Sequence, residues 1–104
     1  MSRITLKQKS AIDLKKNLKR QKVIFYIEAN GAKEVALLGD FNNWDPKAHP
    51  LKNDANGLWK HALMIPAGTY QYKFLVDGNW TVDPQNNQTC MNDFGTLNSV
   101  LIIT

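Results

Sequence analysis

A single cysteine, Cys90, leaves this 104-residue chain without any internal disulfide framework, so its stability must come from an apolar core. Two histidines, His49 and His61, stand without the i+4 or CxxC-like neighbours that a metal site needs, and read as structural or solvent-facing. No apolar run approaches the roughly 20 residues of a membrane helix, so no span is expected. The opening MSRITLKQKS is charged and no apolar stretch of about 7–15 residues follows it, unlike a secretory signal. A reducing, cytoplasmic setting is the expectation. Glycine-rich phosphate loops and nucleophile elbows are missing as well, and Cys90 has no base near it in sequence to activate its thiol.

Carboxylates are present, and they are the one route to an enzyme. Asp40, Asp45, Asp54, Asp77, Asp83 and Asp93 are numerous enough to supply a chance pair of the kind a glycosidase uses. They lie in turn-like contexts, however, where Asp is favoured because its side chain bonds to local backbone. A chain of this length also lacks the walls of a substrate cleft. The residues therefore point to a binding module, without cofactor and without catalysis.

The net charge of +4 divides unevenly. Residues 1–22 hold eight basic side chains against Asp13 alone, whereas 23–104 hold five lysines against eight acids. A nucleic-acid reader would place its basic residues on the folded docking surface, so this distribution argues against DNA or RNA as partner. Within the arm, Ser10-Ala11-Ile12-Asp13 reads as a capping box, and Ala11, Leu14 and Leu18 form one narrow apolar stripe. A short helix ending near Arg20 is expected, either solvated along the edge of the domain or docking a partner or anionic surface.

From Lys22 the period changes to two. Val23, Phe25 and Ile27 alternate with Ile24, Tyr26 and Glu28 up to Asn30-Gly31; Glu34 to Gly39 is a short apolar run; Leu58 to Ile65 alternates around Trp59. Thr69 to Val76 sets Tyr70, Tyr72, Phe74 and Val76 on one face, and Asn98 to Ile103 closes the chain. At least five strands without an intervening helix require largely antiparallel sheets packed face to face, hence an all-β sandwich over 23–104 behind the arm of 1–22. Asp77-Gly78 is a hairpin turn, Pro66-Ala67-Gly68 a tight link, and Asp83 to Asp93 an irregular loop. Asn42-Asn43-Trp44-Asp45-Pro46 must turn, which puts Trp44 at its tip or shoulder.

VALLGDFNNWDP, GLWKHALMIPAGTYQYKFLVDGNWTVDP and GTLNSV resemble, in order and spacing, the glycogen-binding domain of AMP-activated protein kinase beta subunits. They are equally similar to the early-set N-terminal domains of isoamylases and branching enzymes, the group known as carbohydrate-binding module family 48. The resemblance spans about Val23 to Ile103. It implies an immunoglobulin-like early-set β-sandwich that binds α-1,4-glucan, the polymer of glycogen and starch, without hydrolysing it. It further implies that the sugar stacks on Trp44 and Trp80 and meets Lys73, Thr96 and Asn98. At the place of a leucine that projects into the sugar ring in the kinase subunit, this chain carries Phe94.

Strand alternation by itself sends Lys73 to the face opposite Tyr72 and Phe74, free to donate to hydroxyls, with Trp80 just past the neighbouring turn. The competing reading makes Trp44 and Trp80 supports of their turns, and Thr96 and Asn98 partners of backbone groups. Trp59, Tyr70, Tyr72 and Phe74 are expected in the core. Two functions follow: an α-glucan-binding module, or an interaction domain docking onto a glucan-metabolising enzyme or regulatory protein with sugar binding lost. They are told apart by whether Trp44 and Trp80 share one face with Lys73 and Asn98.

Overall fold

The computed structural model describes residues 19–104. The helix read from Ser10 to about Arg20 falls outside them except at its end, where Arg20 already opens a strand. Eight strands follow in order: β1 Arg20–Glu28, β2 Val35–Gly39, β3 Lys52–Asn53, β4 Leu58–Pro66, β5 Gly68–Val76, β6 Asn79–Thr81, β7 Thr89–Met91 and β8 Leu97–Ile103. A single 3-10 turn, Asp40–Asn42, leaves β2.

They form two antiparallel sheets. One is ordered β1-β4-β3, and the other β2-β5-β8-β7 with β6 also paired to β5. Period-two patterning is the cause: Phe25 and Ile27 of β1, Trp59 and Ile65 of β4, and Tyr72 and Phe74 of β5 all turn inward and are buried. Leu37, Phe74 and the other inward side chains meet between the sheets, each full burial contributing about 1.5–3 kcal/mol. Trp59 keeps its indole satisfied by donating to the carbonyl of Ala29 at 3.2 Å. Pro66-Ala67-Gly68 does more than link neighbours in one sheet: β4 and β5 lie in different sheets, so the chain crosses the sandwich there.

Asp77 and Gly78 both have positive φ, 47° and 82°, as a primed hairpin turn requires. The Asp77 carboxylate also accepts the backbone N–H groups of Lys33 and Glu34, each at 2.8 Å, which ties this hairpin to the start of β2.

Two segments differ from the sequence reading. Asp83 to Asp93 is not irregular throughout, because Thr89–Met91 pairs with Leu97–Ser99 as an edge strand too short to show a period. Lys52–Asn53 likewise pairs with Trp59 and Lys60 over only two residues.

The feature that positions the site is a fork along β5. On one side β5 pairs with β2 from Tyr72 to Val76. On the other it pairs with β8 from Gly68 to Tyr72 and with β6 from Phe74 to Val76. Lys73 sits at the branch, where neither strand covers its flank.

Candidate functional site

Trp44 owes its position to the turn after β2. Asn43 and Trp44 both adopt left-handed φ, 56° and 57°, a conformation costing a bulky side chain about 1–3 kcal/mol. Asn42 holds them there. Its carbonyl oxygen accepts the N–H of Gly39 at 3.0 Å and of Trp44 at 3.1 Å, while its Nδ2 donates to the Leu37 carbonyl at 2.8 Å. Gly39 is required beside it for space, since a Cβ there would lie 2.7 Å from the Phe41 ring and 2.8 Å from the Gln71 carbonyl oxygen.

The indole of Trp44 is fixed in turn by Asp40, whose Oδ1 accepts from Nε1 at 3.0 Å. The second oxygen of Asp40 accepts the backbone N–H of Gln71 at 2.8 Å, tying the turn to β5. Trp80, carried on β6 just after the hairpin, faces Trp44 with ring centroids 6.4 Å apart and planes inclined by 59°. It is exposed over 55% of its surface, while Trp44 is half-buried.

Below the rings lies a polar floor. Strand alternation sends Lys73 away from the core, yet it is buried at 7% exposure, because the neighbouring loops close over the outer face of β5. Its ammonium stands 5.9 Å from the Trp80 ring centroid and donates to the Thr96 hydroxyl at 3.1 Å. Asn98, equally buried, donates to the Gln71 side-chain carbonyl at 3.0 Å and accepts from Asn92 at 2.9 Å. Thr96 is exposed, and Phe94 is the most open large apolar side chain of the described residues at 91%.

Asn92 builds the turn that carries Phe94. Its Oδ1 accepts the N–H groups of Phe94 and Thr96 at 2.9 and 3.1 Å. Its Nδ2 donates to the Thr96 hydroxyl at 2.7 Å as well as to Asn98. The amide is thus engaged on both its oxygen and its nitrogen, within this loop and with Asn98 on β8.

All six residues singled out from the sequence, Trp44, Lys73, Trp80, Phe94, Thr96 and Asn98, line one open groove of about 670 Å³. Trp44 and Trp80 share it with Lys73 and Asn98, the two indoles at its rim and the two polar side chains in its floor. Asp40, Gln71, Met91, Asn92 and Asp93 complete the lining and were missed. Asp40 was read only as turn chemistry and Asn92 only as part of an irregular loop, although each is an acid or amide a few residues from an exposed aromatic. Met91, 67% exposed, had no such signal.

Elsewhere, burial raises the Tyr72 phenol well above its usual range, aided by its bond to Asp83 at 2.6 Å. That group belongs to the packing behind the groove.

A family described as the glycogen recognition site of AMP-activated protein kinase matches residues 10–104 of the chain. The 5'-AMP-activated protein kinase subunit beta-1 of Sus scrofa is 44% identical over 71 residues, covering 68% of this chain and 55% of that protein. Subunit beta-2 of Mus musculus is 39% identical over 75 residues, 70% of this chain and 26% of its own length. The chain thus spans between about a quarter and about half of these relatives. Among solved structures, a maltogenic amylase from S. marinus superposes with a TM-score of 0.68 at 24% identity, over 82% of this chain and 14% of the amylase. At that identity the likeness concerns the fold.

Proposed function

The chain belongs to the family of glycogen recognition sites of AMP-activated protein kinase, and from that premise we propose that its groove binds α-1,4-glucan by stacking on Trp44 and Trp80. The family assigns a glucan-binding module. What supports the particular site is one arrangement: two indoles inclined by 59° at the rim of a groove whose floor is Lys73, Thr96 and Asn98. Pyranose rings present apolar faces to the indoles and hydroxyls to the polar floor. Inclined platforms suit the curvature of an α-1,4 chain better than a flat β-1,4 ribbon. Phe94 adds a third aromatic surface at the far rim.

The module acts by binding, without a reaction. Asp40, the groove carboxylate nearest the rings, has both oxygens engaged by Trp44 and Gln71, so it serves the scaffold rather than acid catalysis. If each indole loses about 60–80 Å² to a sugar face, stacking contributes roughly 1.5–2 kcal/mol per ring. After the costs of association, an affinity between about micromolar and about millimolar results.

Isothermal titration with maltoheptaose and cellohexaose is the test. Binding of the first, with the second at least about tenfold weaker, is the expected result. Equal binding of both, or of neither, refutes the assignment.

A second reading has an observation of its own. Ile24, Tyr26 and Met64 are 53%, 42% and 55% exposed on the outer face of the β1-β4-β3 sheet, away from the groove. That face fits docking onto another protein, such as a kinase subunit or a glucan-metabolising enzyme, and is compatible with simultaneous sugar binding. A cytoplasmic setting belongs to the same reading.

A further inference from the structure

Asn42 makes one contact beyond those that shape the Trp44 turn: its Nδ2 lies 2.8 Å from Nδ1 of His49. The orientation of the amide is settled by three other bonds, since its oxygen already accepts from Gly39 and Trp44 and its nitrogen donates to Leu37. The group facing His49 is therefore an N–H donor, and Nδ1 must be a bare acceptor. His49 is held in its neutral form, with its proton on Nε2.

We propose that His49, acting through Asn42, is a positioning residue for the Trp44 platform, and that glucan affinity consequently falls on acidification. This rests on the glucan reading of the groove. An imidazolium carries N–H at both nitrogens, so a protonated His49 sets donor against donor at Asn42. Turning the amide over would satisfy His49 but place the NH2 group against the N–H groups of Gly39 and Trp44. The turned amide takes from Trp44 one of the two acceptors of its N–H, leaving only the Gly39 carbonyl at 3.0 Å to hold its left-handed conformation.

Titratable and charged groups surround the pair. The His61 ring of β4 lies 5.0 Å from that of His49, centroid to centroid. Arg20 of β1 and Tyr70 of β5 line the hollow of about 360 Å³ that His49 also borders. The charge of Lys52 on β3 acts on His61. Burial, then the facing His49 and then Lys52, lower the pKa of His61 below its ordinary 6.5. Nothing the sugar touches needs to titrate in this range.

The test compares maltoheptaose titrations at about pH 7.5 and about pH 5.5 for the wild-type protein and for His49→Gln, which offers Asn42 an acceptor but does not titrate. The wild type should bind about three- to tenfold more weakly at the lower pH, the loss expected of one hydrogen bond, while His49→Gln should change less than about twofold. The sugar-free protein supplies a second readout: the Trp44 indole N–H resonance should shift with the same midpoint as the His49 ring. A pH-independent wild type, an equal acid loss in His49→Gln, or an indole resonance that ignores His49 overturns the proposal. Failure of maltoheptaose to bind at either pH sinks the glucan reading instead, and the indole resonance then decides the coupling alone.

Discussion

Trp44 reaches the groove from two successive left-handed residues and an indole bonded to Asp40, whereas Trp80 stands on a regular strand with 55% of its surface open. Substitution should separate these circumstances. Trp80→Ala removes a stacking surface and little else, so maltoheptaose affinity should fall by about tenfold or more, with a melting temperature close to that of the wild type. Trp44→Ala should weaken binding by a similar factor and also lower the melting temperature, because it removes a half-buried indole and its bond to Asp40 while the Cβ keeps the strain of the left-handed φ. Unaltered titration curves in both folded variants would remove the rings from the site. Gly39→Ala should act on stability first. Its Cβ would lie within 3 Å of both the Phe41 ring and the Gln71 carbonyl, so a loss of about 1–3 kcal/mol in chemical denaturation is expected.

At the scale of elements, the groove exists because β6 and β8 part company along one flank of β5, and two turns fold over the gap. The turn from Asn92 to Thr96 depends on a single amide. Asn92→Ala strips the N–H groups of Phe94 and Thr96 of their acceptor and frees the partner of Lys73, which should cost about 1–2 kcal/mol and several-fold in glucan affinity together. The β5-β6 hairpin offers the contrast. Asp77→Ala leaves the N–H groups of Lys33 and Glu34 without their partner but touches nothing in the groove, so thermal stability should drop while affinity stays within about twofold. If the two variants behaved alike in both measurements, the distinction between a site turn and a structural turn would be lost.

For the molecule as a whole, every core side chain among the described residues lies after residue 22, and residues 19–104 carry eight basic against eight acidic groups. Deleting residues 1–18 should therefore leave a folded sandwich that still binds maltoheptaose and has a pI near neutral, checked by circular dichroism, titration and isoelectric focusing. Glucose units are uncharged, so affinity should change less than about twofold between about 50 and about 500 mM salt, where a phosphate contact would lose orders of magnitude. Stability should respond to pH. His61 binds a proton less readily when folded than when unfolded, so its contribution is present above its ordinary pKa of 6.5 and is lost as pH falls below it. Melting temperatures at about pH 7.5 and about pH 5.5 check this, and His61→Gln should flatten the difference.

Alternating patterns of β1, β4 and β5 decided by themselves which faces are buried, because a period of two admits only one inward set once one face is apolar. The Asp77-Gly78 turn and the FNNW turn were equally legible as turns, since Asp, Gly and Asn tolerate the left-handed backbone, whereas the left-handed φ of Trp44 itself had no sign in the sequence. β3 and β7, of two and three residues, were not, for no period can show over so short a span. Nor could local sequence reveal that Lys73 sits buried under Trp80, that Asn92 governs the Phe94 turn, or that His49 lies against both Asn42 and the tilted ring of His61. Those relations join residues that are distant along the chain or satisfied only in three dimensions. Only the packing of the two sheets and the fork along β5 bring them into contact.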